Sequence, residues 1–120
     1  MQITINGRGI ELTDAIKDYA EKKLEGLGKF YDKIIRANIS VGVENHHHQK
    51  GDIFIAECKL EVPGKDIFAS KNEKTLYKAI DKVRYYLESE LKKHKVKQRV
   101  KDKKDVRKIR DGKEYLPEIY

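Results

Sequence analysis

Residues 70–95 read SKNEKTLYKAIDKVRYYLESELKKHK, and their periodicity decides how the rest of the chain is organised. Leu76, Ile80, Val83, Leu87, Leu91 and His94 recur at three- and four-residue spacing, which puts them on one face of a helix. At ~100° per residue, Lys74, Lys78, Tyr85, Ser89 and Lys92 point the opposite way, with Lys82 and Lys93 flanking them. Ser70 and Glu73 fit a capping box, so the helix is expected to open at Ser70. One face is built to bury. The other offers ammonium groups and a phenol ring.

Working outward, the apolar stripe fades beyond Leu91 while the charge climbs. From Lys92 to Arg110 there are eleven Lys or Arg against two acids, Asp102 and Asp105, a local +9. The whole 120-residue chain carries +7, so everything else sums to −2. The basicity is therefore local, the signature of a polyanion-binding surface. Val96 to Tyr120 has no sustained apolar period, and a fraying helix end leading into a flexible basic arm is expected over 97–120. Residues 1–96 form the folded domain.

Upstream of the helix the pattern changes period. Met1, Ile3 and Ile5 alternate with polar residues as a half-buried strand does. Thr13 reads as an N-cap with Asp14 beside it, opening a helix whose buried stripe is Ile16, Ala20, Leu24 and Leu27. Gly26 and Gly28 mark its end. Ile35, Ala37, Ile39, Val41 and Val43 then alternate with Arg36, Asn38, Ser40, Gly42 and Glu44, a strand with one wet face. Phe54, Ala56, Cys58, Leu60 and Val62 define another, and Pro63-Gly64-Lys65 turns the chain into a short strand at Asp66 to Ala69. The order is βαβββα. An α+β fold follows, a four-stranded sheet with two helices on one face.

Composition sets limits. At 39% charged and 38% hydrophobic residues, the chain suits a single small two-layer domain with solvated helices. No run approaches the ~18 to 20 apolar residues of a membrane span, and the N-terminus lacks the regions of a signal peptide. The lone Cys58 excludes an intramolecular disulfide and fits a reducing, cytoplasmic setting.

Five stretches follow one another in a telling order: Glu11-Leu12-Thr13-Asp14-Ala15-Ile16, Phe30-Tyr31-Asp32-Lys33-Ile34, Phe68-Ala69-Ser70, Leu76-Tyr77-Lys78-Ala79-Ile80-Asp81 and Leu91-Lys92-Lys93-His94-Lys95. In that order they resemble the ribosome hibernation-promoting factor and ribosome-associated inhibitor family. The resemblance covers residues 1 to 96. It implies a fold similar to double-stranded-RNA-binding domains and a partner in the small ribosomal subunit and its ribosomal RNA. It further implies occupancy of the messenger- and transfer-RNA channel, with translation silenced in slow growth, stationary phase and stress. The chain departs from the family pattern at Glu88-Ser89-Glu90, where basic or amide residues are frequent. Both a short form and the N-terminal domain of a long, ribosome-pairing form fit the sequence.

The residues support that chemistry independently. Lys74, Lys78, Lys82, Lys92 and Lys93 put several cations on one rigid face, Lys95, Lys97 and Arg99 extend it, and Lys22 and Lys29 add to it from the first helix. Lysine is a point donor that suits phosphate without reading bases, so shape and backbone are the expected targets. Tyr85 and Tyr86 can stack on exposed bases. A solvated helix face explains the stripe from Lys74 to Lys93 about equally well, but it does not explain the imbalance after Leu91.

Other readings weigh less. His46-His47-His48 lacks a Cys or carboxylate at ligand spacing and reads as a loop more readily than as a metal site. Cys58 falls on a buried strand face, and His94 on the apolar stripe suits a buried partner of a tyrosine or carbonyl. No enzyme, cofactor, small-molecule substrate or membrane partner is expected, and the protein is expected to act as a monomer. The alternative is a duplex-RNA-binding module acting away from ribosomes, and a hydrolase built on the histidine loop comes third.

Overall fold

The computed structural model describes residues 1–45 and 53–111. Its elements are β1 (Gln2–Arg8), α1 (Asp14–Glu25), a 3₁₀ turn (Gly26–Lys29), β2 (Arg36–Asn45), β3 (Ile53–Val62), β4 (Lys65–Glu73) and α2 (Leu76–Asp111). The order is the expected βαβββα, and one sheet runs β1-β2-β3-β4. β2, β3 and β4 form an antiparallel meander, while β1 pairs parallel to β2. A parallel pair needs a long crossover, which α1 supplies.

Both helices lie on the same sheet face. Ala20, Leu24 and Leu27 from α1 and its 3₁₀ extension meet Ile80, Val83, Leu87 and Leu91 from α2 over Ala37, Ile39, Val41, Ala56, Cys58 and Leu60. These side chains are almost wholly removed from water, and at ~25 cal/mol per Å² this one-sided core is the main stabilising term. Thr13 caps α1 as its sequence predicts, its hydroxyl oxygen accepting from the Ile16 N–H at 3.2 Å. Pro63 and Gly64 make the two-residue turn between β3 and β4, and Gly64 takes the φ of 90° that a type II turn demands at its second position.

Gly42 has a different role. A Cβ at that position would lie 2.3 Å from the Arg8 carbonyl oxygen, so the glycine lets the end of β1 close onto β2.

Two expectations are corrected. Ser70 and Glu73 do not cap a helix, because β4 continues through Glu73 and α2 begins at Leu76. Pairing with β3 from Val62↔Lys65 to Phe54↔Glu73 gives that backbone a ladder along its whole length, and this outweighs the local capping motif. The cap is Thr75, whose hydroxyl accepts from the Lys78 N–H at 3.1 Å. Lys74 accordingly precedes α2 instead of riding on it. At the start of β2, Ile35 is 55% exposed while Ile34 is buried, so the inward alternation begins at Ala37.

Helical backbone continues past residue 96 to Asp111. The histidine triplet at 46–48 and the tail at 112–120 lie outside the described residues.

Candidate nucleic-acid interface

Placing both helices on one side of the sheet gives the molecule two unlike surfaces. On the open sheet face, Arg8 meets Glu57 at 3.0 Å, Arg36 meets Glu61 at 3.8 Å, and Lys59 meets Asp66 at 3.5 Å and Glu61 at 3.9 Å. Three cations face three carboxylates there, so that surface neutralises itself. Its largest apolar group is Phe68, 58% exposed. A polyanion gains little on such a face.

The helical side differs. Lys22, Lys29, Lys74, Lys78, Lys82, Lys92, Lys93, Lys95, Lys97 and Arg99 are all exposed, and Tyr85 stands out among them at 70% exposure. Three of these cations are partly engaged: Lys82 with Glu73, Lys92 with Glu88 at 3.5 Å, and Lys93 with Glu90 at 3.5 Å. Glu73 is held below the usual carboxylate range by its hydrogen bond from Lys82 and by the Lys74 backbone N–H. The Glu88 and Glu90 pairs are exposed lysine contacts of the kind worth ~1 kcal/mol or less, so a phosphate can compete for those lysines. Tyr86 turns toward β4, where the Lys71 ammonium sits 4.7 Å from its ring centroid, so the two tyrosines are not one stacking platform.

One residue absent from the sequence reading joins the site. Arg84 lies over the Phe30 ring at 5.7 Å, with Lys92 over the same ring at 5.0 Å, and its guanidinium lies close over Gly26. Its Nε is buried without a hydrogen-bond partner. Arginine carries five donors in a planar fork, and this half-buried one links α2 to the 3₁₀ turn that follows α1. Its signal is non-local, because only the docking of the 3₁₀ turn against α2 brings Phe30 to Arg84.

The remaining candidates are core groups. Cys58 is fully buried and desolvation pushes its thiol up to about 12, which makes it a poor nucleophile. His94 is buried with its ring 5.5 Å from Tyr31 in edge geometry, and desolvation, then Lys65 and Lys97, lower its pKa. Among the described residues no group of three or more His, Cys, Asp or Glu is placed to hold a metal ion, and no helix is long and apolar enough to cross a membrane.

The fold is thus a four-stranded sheet with both helices on one side and exposed cations spread over those helices. The sequence profile of the Sigma 54 modulation protein / S30EA ribosomal protein family matches residues 3–99, and the chain belongs to that family. It is 33% identical over 98 residues to the ribosome hibernation promoting factor of Pseudomonas putida, covering 82% of this chain and 90% of that one. To the factor of the same name from Klebsiella oxytoca it is 35% identical over 97 residues, covering 81% and 96%. The fold superposes on a ribosomal subunit interface protein from Coxiella burnetii with a TM-score of 0.71 at 26% identity, covering 80% of this chain and 99% of that one. The N-terminal domain of Protein Y from Thermus thermophilus is also similar, with a TM-score of 0.69 at 33% identity and coverage of 78% and 99%.

Proposed function

We propose that this protein is a cytoplasmic ribosome hibernation factor. It binds the small ribosomal subunit through its helical side and silences translation by occupying the messenger- and transfer-RNA channel. The observation that carries this reading is the contrast between the faces: the sheet face cancels its own charge and α1 is charge-balanced, while α2 holds a surplus of exposed cations around and beyond Tyr85. Relatives that bear the name ribosome hibernation promoting factor support a ribosomal partner.

Steric occupancy needs neither catalysis nor a cofactor. Lysines on α1 and α2 neutralise backbone phosphates, Arg84 and Lys92 form a corner for one more, and Tyr85 stacks on an unpaired base. Residues 97–111 extend the cationic helix by roughly 1.5 Å per residue, far enough to follow an RNA groove beyond the body of the domain. Affinity built on phosphate contacts is charge-dependent, so transfer RNA and rising activity can displace the factor by mass action.

The test is sedimentation of isolated small subunits with the protein while deacylated transfer RNA is titrated in. Progressive release of the protein as transfer RNA binds is the expected result. Simultaneous saturation by both would sink the channel assignment, and equal affinity for free duplex RNA would favour a module that acts away from ribosomes.

A further inference from the structure

A carboxylate sits where a polyanion-binding surface should not have one. Asp81 lies on the outer side of α2, one turn from Lys78 before it and from Tyr85 after it. Its side chain is 35% exposed, and a bare anion there would repel the phosphates that the neighbouring lysines attract.

The carboxylate is not bare. The Tyr19 hydroxyl donates to Asp81 Oδ1 at 2.5 Å, and the Lys23 ammonium lies 3.4 Å from the same oxygen. Both partners come from α1. Tyr19 is held from the other side by the Tyr77 ring, edge-on at 4.8 Å, and Lys23 leans over the Tyr19 ring at 5.4 Å. The hydrogen bond to Asp81 raises the phenol to about 12, so it stays a donor at any ordinary pH. Among the described residues, this cluster is the one place where hydrogen-bonding or charged side chains join α1 to α2.

We infer that Asp81 is a positioning residue for RNA binding: by accepting from Tyr19 and Lys23 it fixes α1 against α2, so that the cations of both helices present one rigid surface. Apolar packing already holds the two helices on the sheet, but each of its contacts is weak and non-directional, so a polar link between them adds a constraint that the core alone does not supply. A short, charge-assisted hydrogen bond is directional and sets the register. The cost is a negative charge within the cationic face, and Lys23 offsets it locally. This inference rests on the helical side being the RNA-binding side.

Charge and geometry predict opposite signs here, which makes the test sharp. Asp81→Ala and Asp81→Asn remove the same charge, but only the amide oxygen of the asparagine can still accept from Tyr19. If charge alone mattered, both variants would bind small subunits more tightly, and equally so. The positioning role predicts that Asp81→Ala binds roughly three- to tenfold more weakly than the parent, the yield of one lost directional hydrogen bond. Asp81→Asn should bind as tightly as the parent or better, with a salt dependence at least as steep. Tyr19→Phe changes no charge and keeps the ring, and it should show the same several-fold loss, which covers the case in which the alanine variant folds poorly. Equal affinities for Asp81→Ala and Asp81→Asn, or an unaltered Tyr19→Phe, would overturn the inference. Failure of the parent to bind small subunits in a salt-dependent way would instead overturn the functional reading on which it rests.

Discussion

Replacing Lys95, Lys97 and Arg99 together by glutamine removes three cations from α2 beyond Leu91. All three are exposed, and glutamine sustains a helix about as well as lysine, so the melting temperature should stay within a few degrees of the parent. The effect on binding is calculable. Suppose the intact helical side neutralises about six phosphates: counterion release then gives a log–log salt slope near −4 to −5. Raising salt from ~50 to ~200 mM costs the parent roughly several hundred- to a thousandfold in affinity. Three fewer phosphate contacts make the slope shallower by about two or more, and the same salt change then costs only roughly ten- to fiftyfold. The assay is fluorescence anisotropy of labelled protein with isolated small subunits, titrated at four or five salt concentrations under constant magnesium. An unchanged slope in a protein that melts normally would show that this part of the helix never meets phosphate, and would remove the cationic run from the mechanism.

Three further outcomes concern the scaffold. Gly42→Ala should destabilise the domain by about 1 to 3 kcal/mol, since the added methyl meets the Arg8 carbonyl and must push β1 away; a denaturant midpoint equal to the parent's would refute that packing. His94 is neutral in the fold with its pKa depressed below 6.5, so the unfolded chain takes up the proton first as the pH falls. Its contribution is therefore present above that value and lost on acidification, and the melting temperature should drop between pH 7.5 and pH 5.5 in the parent but less in His94→Gln. Cys58 should resist a thiol reagent at pH 8 in the native protein and react at once in denaturant, whereas rapid native labelling would mean that β3 is not the buried centre of the sheet.

Much of the fold was legible because its signals are local. Thr13 caps α1 with its own hydroxyl, and the stripe Ile80, Val83, Leu87 and Leu91 buries as its spacing requires. The misreadings arose where the deciding signal is not local. Ser70 to Glu73 is wholly polar and matches a capping box, with no apolar alternation to mark it as strand, and only pairing with the distant β3 keeps it extended. Ile34 and Ile35 are chemically alike, and which of them turns inward depends on the chain's approach to β2. The fading of apolar residues after Leu91 suggested an early helix end. The backbone stays helical to Asp111 because residues 92–111 contain no proline or glycine and are dominated by Lys and Arg, which sustain helices well. Within the site, the lysines were readable from charge and spacing. Arg84 with Phe30, and Asp81 with Tyr19, were not, since each pair exists only once the two helices dock.

The central claim is that the helical side, not the open sheet face, meets ribosomal RNA. A photo-crosslinking amino acid placed at Tyr85 in one variant and at Phe68 in another tests this directly, because both side chains are well exposed and they stand on opposite sides of the sheet. After irradiation with isolated small subunits, the probe at position 85 should crosslink to ribosomal RNA, and the probe at position 68 should give little or no RNA adduct. Crosslinks to RNA from position 68, with none from position 85, would contradict the account.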